Sequence, residues 1–117
     1  MIYIAPQAKV YFFQNLLSLD DPIEYHTSIC KRHGFDTFSG DFFVFRDNDN
    51  THIGLLSYDG HGFQWCLKRF SNGKVAWWPD EKDVVQISPR DLQVILWGGN
   101  PKEIELPEMW RYVHKID

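Results

Sequence analysis

The sequence predicts a single α+β domain in which an antiparallel meander sheet of four to six short strands packs with two helices. Between residues 41 and 78, short aromatic and β-branched runs alternate with turn residues, which is typical of a meander. Two segments outside that stretch combine helix-start residues with apolar residues at helical spacing. The 117 residues, 44% of them hydrophobic, match one ordinary globular domain, so we expect residues 1–117 to form one unit.

The first elements are a strand and a helix. The apolar run at residues 10–13 favours a buried strand, although its periodicity alone also fits a helix start. The first helix is predicted to begin at Asp21, as its N-cap, with Pro22 in the first helical position. It is predicted to end at His33, because Gly34 readily adopts the left-handed conformation that closes a helix.

The meander follows the first helix. Its four predicted strands are separated by the loop at residues 47–50 and by the glycine turns at 59–62 and 72–73. Turns this short cannot join parallel neighbours, so the strands are predicted to be antiparallel. The predicted strands cover residues 42–46, 53–58, 63–70 and 75–78.

The second helix has the clearest local signals. A short strand at residues 84–87 precedes it, Ser88 can cap it, and Pro89 suits its first position. The run at residues 98–101, Gly-Gly-Asn-Pro, ends it. The sequence leaves open the structure of the tail at residues 99–117, which alternates in charge and contains a proline.

Charge and cysteine content limit the classes of function. The net charge of −4 gives the whole molecule no attraction to a phosphate backbone, so any nucleic-acid contact requires a local patch. Cys30 and Cys66 form no CxxC pair, which indicates neither a disulfide framework nor a zinc site and fits a reducing compartment. The first residues lack a basic segment, and the apolar run at 42–45 is too short to cross a bilayer. We therefore expect a cytoplasmic protein with no membrane contact.

Three motifs of the predicted sheet occur in a fixed order. They are DTFSGDFFVFR at residues 36–46, YDGHGF at 58–63, and LKRF at 67–70 followed by Gly73. In order and spacing they resemble the small TnpB-type accessory proteins of IS66-family bacterial insertion sequences, whose motifs read P-x-S-G-x-x-F-V-F, W-D-G-x-G-F and K-R-L-x-x-G. The resemblance extends over residues 36–98. It implies a helper protein of DNA transposition that acts beside the larger transposase of the same element.

The chain departs from that family at two basic segments. Where the family carries T-D-M-R-K, residues 17–21 read Leu-Ser-Leu-Asp-Asp, with acids in place of bases. After Arg46, where the family is often rich in arginine and lysine, residues 47–54 contain none. DNA contact is therefore expected to depend on the bases that remain.

The bases that remain around the predicted sheet are the candidates for nucleic-acid binding. Because adjacent strand residues point to opposite faces, Lys68 and Arg69 share a face only if the strand ends or bulges there. The alternative is that these side chains are solvated charges at a sheet edge. The four candidates are Arg46, Lys68, Arg69 and Lys74.

Aromatic and turn residues complete the candidate set. The aromatic side chains beside the sheet suit either stacking on nucleic-acid bases or core packing, and the candidates are Tyr58, Trp65, Trp77 and Trp78. Core packing is favoured for Trp65 and for the Trp77–Trp78 pair, and an exposed tryptophan would suit a protein interface. The glycine-rich motif residues meet the conformational needs of turns. The partner-interface candidates are Trp77, Trp78, Trp110 and Tyr112. The structural turn residues are Ser39, Gly40, Asp59, Gly60, Gly62, Phe63 and Gly73.

Catalytic and metal sites find little support. Cys30 and His33 share a helix face, but a metal needs further ligands, and a packed helix face is the simpler interpretation. Asp36, Asp41 and Asp59 suggest a carboxylate triad, yet each lies beside turn-forming residues. We therefore predict no catalytic residue, no metal and no cofactor.

Three hypotheses of function remain, and the oligomeric state is left open. The first is a protein adaptor that helps the transposase assemble on element ends, the second a direct nucleic-acid-binding module, and the third an enzyme subunit with a metal at acidic turns. An exposed apolar patch or a dimer interface would favour the first hypothesis. A clustered patch of the four bases would favour the second.

Overall fold

The computed structural model describes residues 7–71, 73–80 and 83–103, which contain two helices and five strands. This confirms the predicted α+β class. The elements are β1 (Val10–Leu17), α1 (Ile23–Arg32), β2 (Phe42–Asp47), β3 (His52–Tyr58), β4 (Phe63–Arg69), β5 (Val84–Ile87) and α2 (Pro89–Leu96).

The five strands form one sheet in the order β4-β3-β2-β1-β5. The pairs β2–β3 and β3–β4 are antiparallel, as the meander requires, and β5 pairs antiparallel with β1. The pair β1–β2 is parallel, which differs from the fully antiparallel prediction. The reason is that α1 connects these two strands, and a helical crossover brings the chain back to run in the same direction.

The predicted fourth meander strand at residues 75–78 is wrong. This segment crosses the sheet: the Val75 N–H donates to the Asn50 carbonyl at 2.7 Å, and the Trp78 and Phe12 rings lie 4.5 Å apart. Val75, Trp77 and Trp78 pack over the α2 side of the sheet. The burial of this apolar surface stabilises the segment in its observed position, so it does not pair with β4 as a further strand. As a result, β4 lies at the edge of the sheet.

Both faces of the sheet are buried. Residues 42–45 of β2 are all buried, and alternate side chains enter opposite clusters, as strand geometry requires. The α2-side cluster contains Val10, Phe12, Phe42, Val44, Ile53, Leu55, Leu92, Ile95 and Leu96. The α1-side cluster contains Phe13, Leu17, Ile29, Cys30, Phe43, Phe45 and Leu56.

Helix α1 ends as predicted but begins differently. Its C-cap is His33, and Gly34 has φ +86°, both as expected. Its N-cap is Pro22 rather than Asp21, and no side chain caps it. The Asp21 carboxylate instead accepts the Ser18 N–H at 2.8 Å. A short acidic side chain can form such a hydrogen bond to the nearby backbone in place of a helix cap. The predicted Asp21 cap is therefore wrong.

Helix α2 has the predicted start. The Ser88 hydroxyl accepts the Asp91 N–H at 3.1 Å, and Pro89 occupies the first turn. Leu92 and Ile95 are fully buried beneath the sheet, as the helical spacing predicts. Neither described helix is long and apolar enough to span a bilayer.

Candidate functional site

The four predicted bases lie at one end of the sheet, around the turn that joins β2 to β3. Phe70 and Val75 donate their N–H groups to the carbonyls of Thr51 and Asn50, at 2.9 and 2.7 Å. These bonds bring the neighbouring Arg69 and Lys74 to the same turn. We call this region the turn end.

Two of the bases are engaged within the protein. The Arg46 guanidinium donates to Asn50 Oδ1 at 2.8 Å and lies 5.4 Å from the centre of the Trp78 ring. Lys68 Nζ donates to the carbonyl of Leu96, in the last turn of α2, where a cation offsets the negative end of the helix dipole. These two side chains therefore stabilise local structure.

The other two bases are exposed, as Lys68 is, but they differ from it in their contacts. Arg69 and Lys74 make no hydrogen bond or ion pair with any described residue. Because Trp65 packs on the α1 side and side chains alternate, Arg69 points to the α1 side and Lys68 to the α2 side. The basic side chains are thus divided between the two faces of the sheet.

An acid at the same turn opposes these cations. The Asp47 carboxylate accepts the N–H groups of Thr51 and His52, at 2.8 and 3.0 Å, and lies 2.9 Å from His52 Nδ1. Burial raises the pKa of Asp47, but the hydrogen bonds that it accepts, led by one from the Thr51 hydroxyl at 2.7 Å, outweigh this effect and lower the pKa to about 2. The carboxylate stays ionised at neutral pH and reduces the positive potential of the turn end.

The opposite end of the sheet carries a group of three aromatic rings, of which one is exposed and two are partly buried. Phe38 lies 5.0 Å from the Tyr58 ring and 5.3 Å from the Phe63 ring, and these two are 5.2 Å apart. Phe38 is 57% exposed. We call these three residues the aromatic patch. Phe38 lies outside every predicted strand and helix, and a large aromatic in a turn-rich segment was the available signal for it.

The turn residues of the motifs hold the aromatic patch in place. The Asp59 carboxylate accepts the N–H groups of His61 and Gly62, both at 2.9 Å, and these bonds lower its pKa. Gly40 and Gly60 have φ +87° and +96°, which favour glycine. Gly73, beyond β4, has φ +83°. These contacts fit the predicted turn role.

The three aspartates considered as a carboxylate triad, Asp36, Asp41 and Asp59, take part in local turns. The Asp36 carboxylate accepts the Phe38 N–H at 3.0 Å, and the Asp41 carboxylate accepts the Ser39 hydroxyl at 2.9 Å. Across residues 7–71, 73–80 and 83–103, no three His, Cys, Asp or Glu side chains are placed to share a metal ion. Cys30 is buried, which raises its thiol pKa to about 12.

The two described tryptophan candidates cover the sheet. Trp77 and Trp78 are half-buried against the α2-side cluster, and Lys102 Nζ lies 5.4 Å from the Trp77 ring. Trp110 and Tyr112 lie outside the described residues. For the described pair, the core-packing alternative fits the contacts.

Helix α1 buries a histidine on its packed face. His26 is fully buried in α1 and stacks on Trp65, with ring centres 4.3 Å apart. Neither ring nitrogen has a hydrogen-bond partner among the described residues, and Nε2 lies 3.9 Å from the Asp21 carboxylate. Burial lowers the pKa of His26, and the charge of Asp21 opposes this only in part.

We expect the free energy of unfolding to fall as the pH drops below the ordinary histidine pKa of 6.5. The unfolded chain then binds a proton that folded His26 resists, so acid favours unfolding. Denaturant titrations between about pH 7.5 and about pH 5.5 avoid the range in which carboxylates titrate. His26→Phe keeps an aromatic ring on Trp65 and should flatten this slope. An unchanged slope in that variant would show that another group causes it.

Comparison with known proteins gives one match. Residues 9–105 match a family model described as IS66 Orf2 like protein. This range contains every described strand and helix. No curated protein and no solved structure gave a significant match.

Proposed function

The chain belongs to the IS66 Orf2-like family and is therefore associated with transposition, and from this premise we propose that it is a non-catalytic adaptor. In this role it helps the separate transposase of the same element assemble on the element's ends. The aromatic patch supports the proposal, because a clustered aromatic surface suits contact with another protein.

The patch has the features of an interface anchor. Phe38 exposes 57% of its surface, while Tyr58 and Phe63 support it from below. The hydrogen-bonded turns at Asp36 and Asp59 hold the backbone beside these rings, so little conformational entropy is lost when a partner covers them. Aromatic anchors of this kind contribute most of the affinity of many interfaces.

Direct nucleic-acid binding is the second candidate. It is supported by Arg69 and Lys74, which are exposed and lie at the same turn. Against it stand the internal contacts of Arg46 and Lys68 and the ionised Asp47. The adaptor is favoured because only Arg69 and Lys74 among the four candidates lack a contact with described residues, and two cations supply little of the phosphate neutralisation that DNA binding needs.

The first experiment measures binding to the purified transposase of the same element. We expect Phe38→Ala to weaken binding by roughly thirtyfold, as for a central aromatic anchor. The matched control is Leu19→Ala, because Leu19 is 59% exposed but lies beyond the other end of the sheet. Equal losses in both variants, or no binding by the unaltered chain, would reject the adaptor.

The second candidate is tested by fluorescence anisotropy with a duplex bearing the element's terminal repeat and an unrelated duplex. Tight binding with a steep salt dependence, reduced in Arg69→Ala and Lys74→Ala, would place nucleic-acid binding first. No binding even at low salt would remove that candidate.

A further inference from the structure

One side of the β4 backbone is not paired by any strand of the described residues. The strand lies at the end of the strand order, and no described residue pairs with its outer side. It is seven residues long, whereas β5 at the other edge has four. Long exposed edges invite pairing with another strand.

The hydrogen-bond pattern identifies the groups on the free side. Phe70 donates to Thr51, and Asp59 donates to Gly62, so these two residue pairs are hydrogen-bonded pairs. The register between them is unbroken, and hydrogen-bonded pairs alternate along it. The even-numbered residues of β4 therefore bond to β3. The residues that direct their N–H and C=O groups outward are Phe63, Trp65, Leu67 and Arg69.

Two of the usual protections of a sheet edge are absent from β4. It contains no proline, and its pairing with β3 shows no bulge. Lys68, the residue type that commonly guards edges, donates to Leu96 on the α2 side instead. Leu67 is 44% exposed, which leaves an apolar side chain beside the free backbone.

We propose that β4 pairs antiparallel with β4 of a second copy of this chain, about a twofold axis at Cys66. In this register Trp65 faces Leu67 of the other copy, and Cys66 faces its own counterpart. The outward-directed residues then form the hydrogen-bonded pairs, and all seven residues of the strand are matched. The two five-stranded sheets become continuous.

The charges of β4 favour a second copy as the occupant. Lys68 faces the neutral Gln64, and Arg69 faces the ring of Phe63, so no cation opposes another. An axis at Lys68 would oppose like charges and leave only residues 67–69 paired. The strand is thus complementary to itself in the register that also gives the most pairs.

The solution test is sedimentation of the full chain across concentrations, where we expect a dimer. Leu67→Lys removes both Trp65–Leu67 contacts and places two ammonium groups near the axis, so the dimer should weaken by about tenfold. Leu16→Lys is the matched control, because Leu16 is 43% exposed but lies in β1, inside the sheet. A monomer at all concentrations, or a dimer that Leu67→Lys leaves unchanged, would overturn the proposal.

Cys66 gives a direct readout of the register. Residues opposed in a non-hydrogen-bonded pair have Cα atoms about 4.5 Å apart, within the range that a disulfide spans. Added diamide should join two Cys66 thiols as a disulfide, with two electrons and two protons reducing diamide to its hydrazine. Cys66→Ser should abolish this covalent dimer but keep the non-covalent one, and Cys30→Ser should keep both. A covalent dimer that persists in Cys66→Ser would contradict this register.

Discussion

Gly54→Ala is expected to lower the free energy of unfolding by about 3 kcal/mol, a large effect for one methyl group. Gly54 lies within β3 on the α1 side of the sheet. A Cβ atom there would lie 2.5 Å from Trp65 Cζ2, closer still to Cη2, and 3.1 Å from Leu17 Cδ2. Carbon atoms do not approach this closely without displacement, so the indole ring has to move.

The surroundings of Trp65 prevent an easy displacement. His26 stacks on the indole with ring centres 4.3 Å apart, and Phe45 lies 6.2 Å away. Replacing glycine with alanine in a strand returns about 0.5–1 kcal/mol of conformational entropy, which offsets only part of the steric cost. We therefore expect a net loss of stability.

A double-mutant cycle measured by chemical denaturation tests this cause. Trp65→Phe shortens the ring that the added methyl group would meet, so Gly54→Ala should cost much less in that background. Gly62→Ala is the matched control: its added Cβ meets nothing within 4 Å, and its φ lies outside the left-handed region. Equal costs of Gly54→Ala in both backgrounds would show that Trp65 is not the obstacle.

Local signals predicted some elements completely and others in part. Ser88 and Pro89 define the start of α2 through contacts within four residues, and the structure keeps them. The start of α1 was misplaced because the Asp21 carboxylate bonds to the Ser18 N–H instead of capping the helix. An aspartate before a helix can form either hydrogen bond, and the sequence does not distinguish the two.

Non-local packing decided the rest of the fold. Periodicity shows that residues 10–13 and 75–78 are apolar, but it does not show which strand or face they contact. The parallel pairing of β1 with β2 follows from the crossover through α1. The position of the segment at 75–78 follows from its packing on the apolar surface that includes Val44. These contacts join residues far apart in sequence.

The same limit applies to the candidate site. The sequence identifies the four bases, but only the fold shows that Arg46 lies over Trp78 and that Lys68 bonds to the last turn of α2. An isolated glycine in a strand signals close approach of another group, so Gly54 carried a readable signal. Its partner, Trp65, lies on the next strand, and only the register between β3 and β4 brings the two together.

Phe13→Ala is expected to lower the free energy of unfolding by about 4 kcal/mol. Phe13 is fully buried in β1, at the centre of the α1-side cluster. Its ring stacks on Phe45 with centres 4.8 Å apart and meets the edges of Phe35 and Phe43 at 5.8 and 6.1 Å. Truncation would leave a cavity between three rings that belong to a strand and a loop, and the sheet cannot collapse to fill it.

Phe38→Ala provides the matched comparison, because it removes the same atoms from a side chain that is 57% exposed. We expect it to change the free energy of unfolding by less than about 1 kcal/mol, since the alanine creates no buried cavity. Urea titrations of both variants under identical conditions give the difference. Similar losses for the two would mean that the burial of Phe13 in the α1-side cluster contributes no more to stability than the exposed ring of Phe38 does. The expected contrast would show that the Phe13 ring stabilises the fold, whereas the Phe38 ring contributes little to stability and is available to a partner.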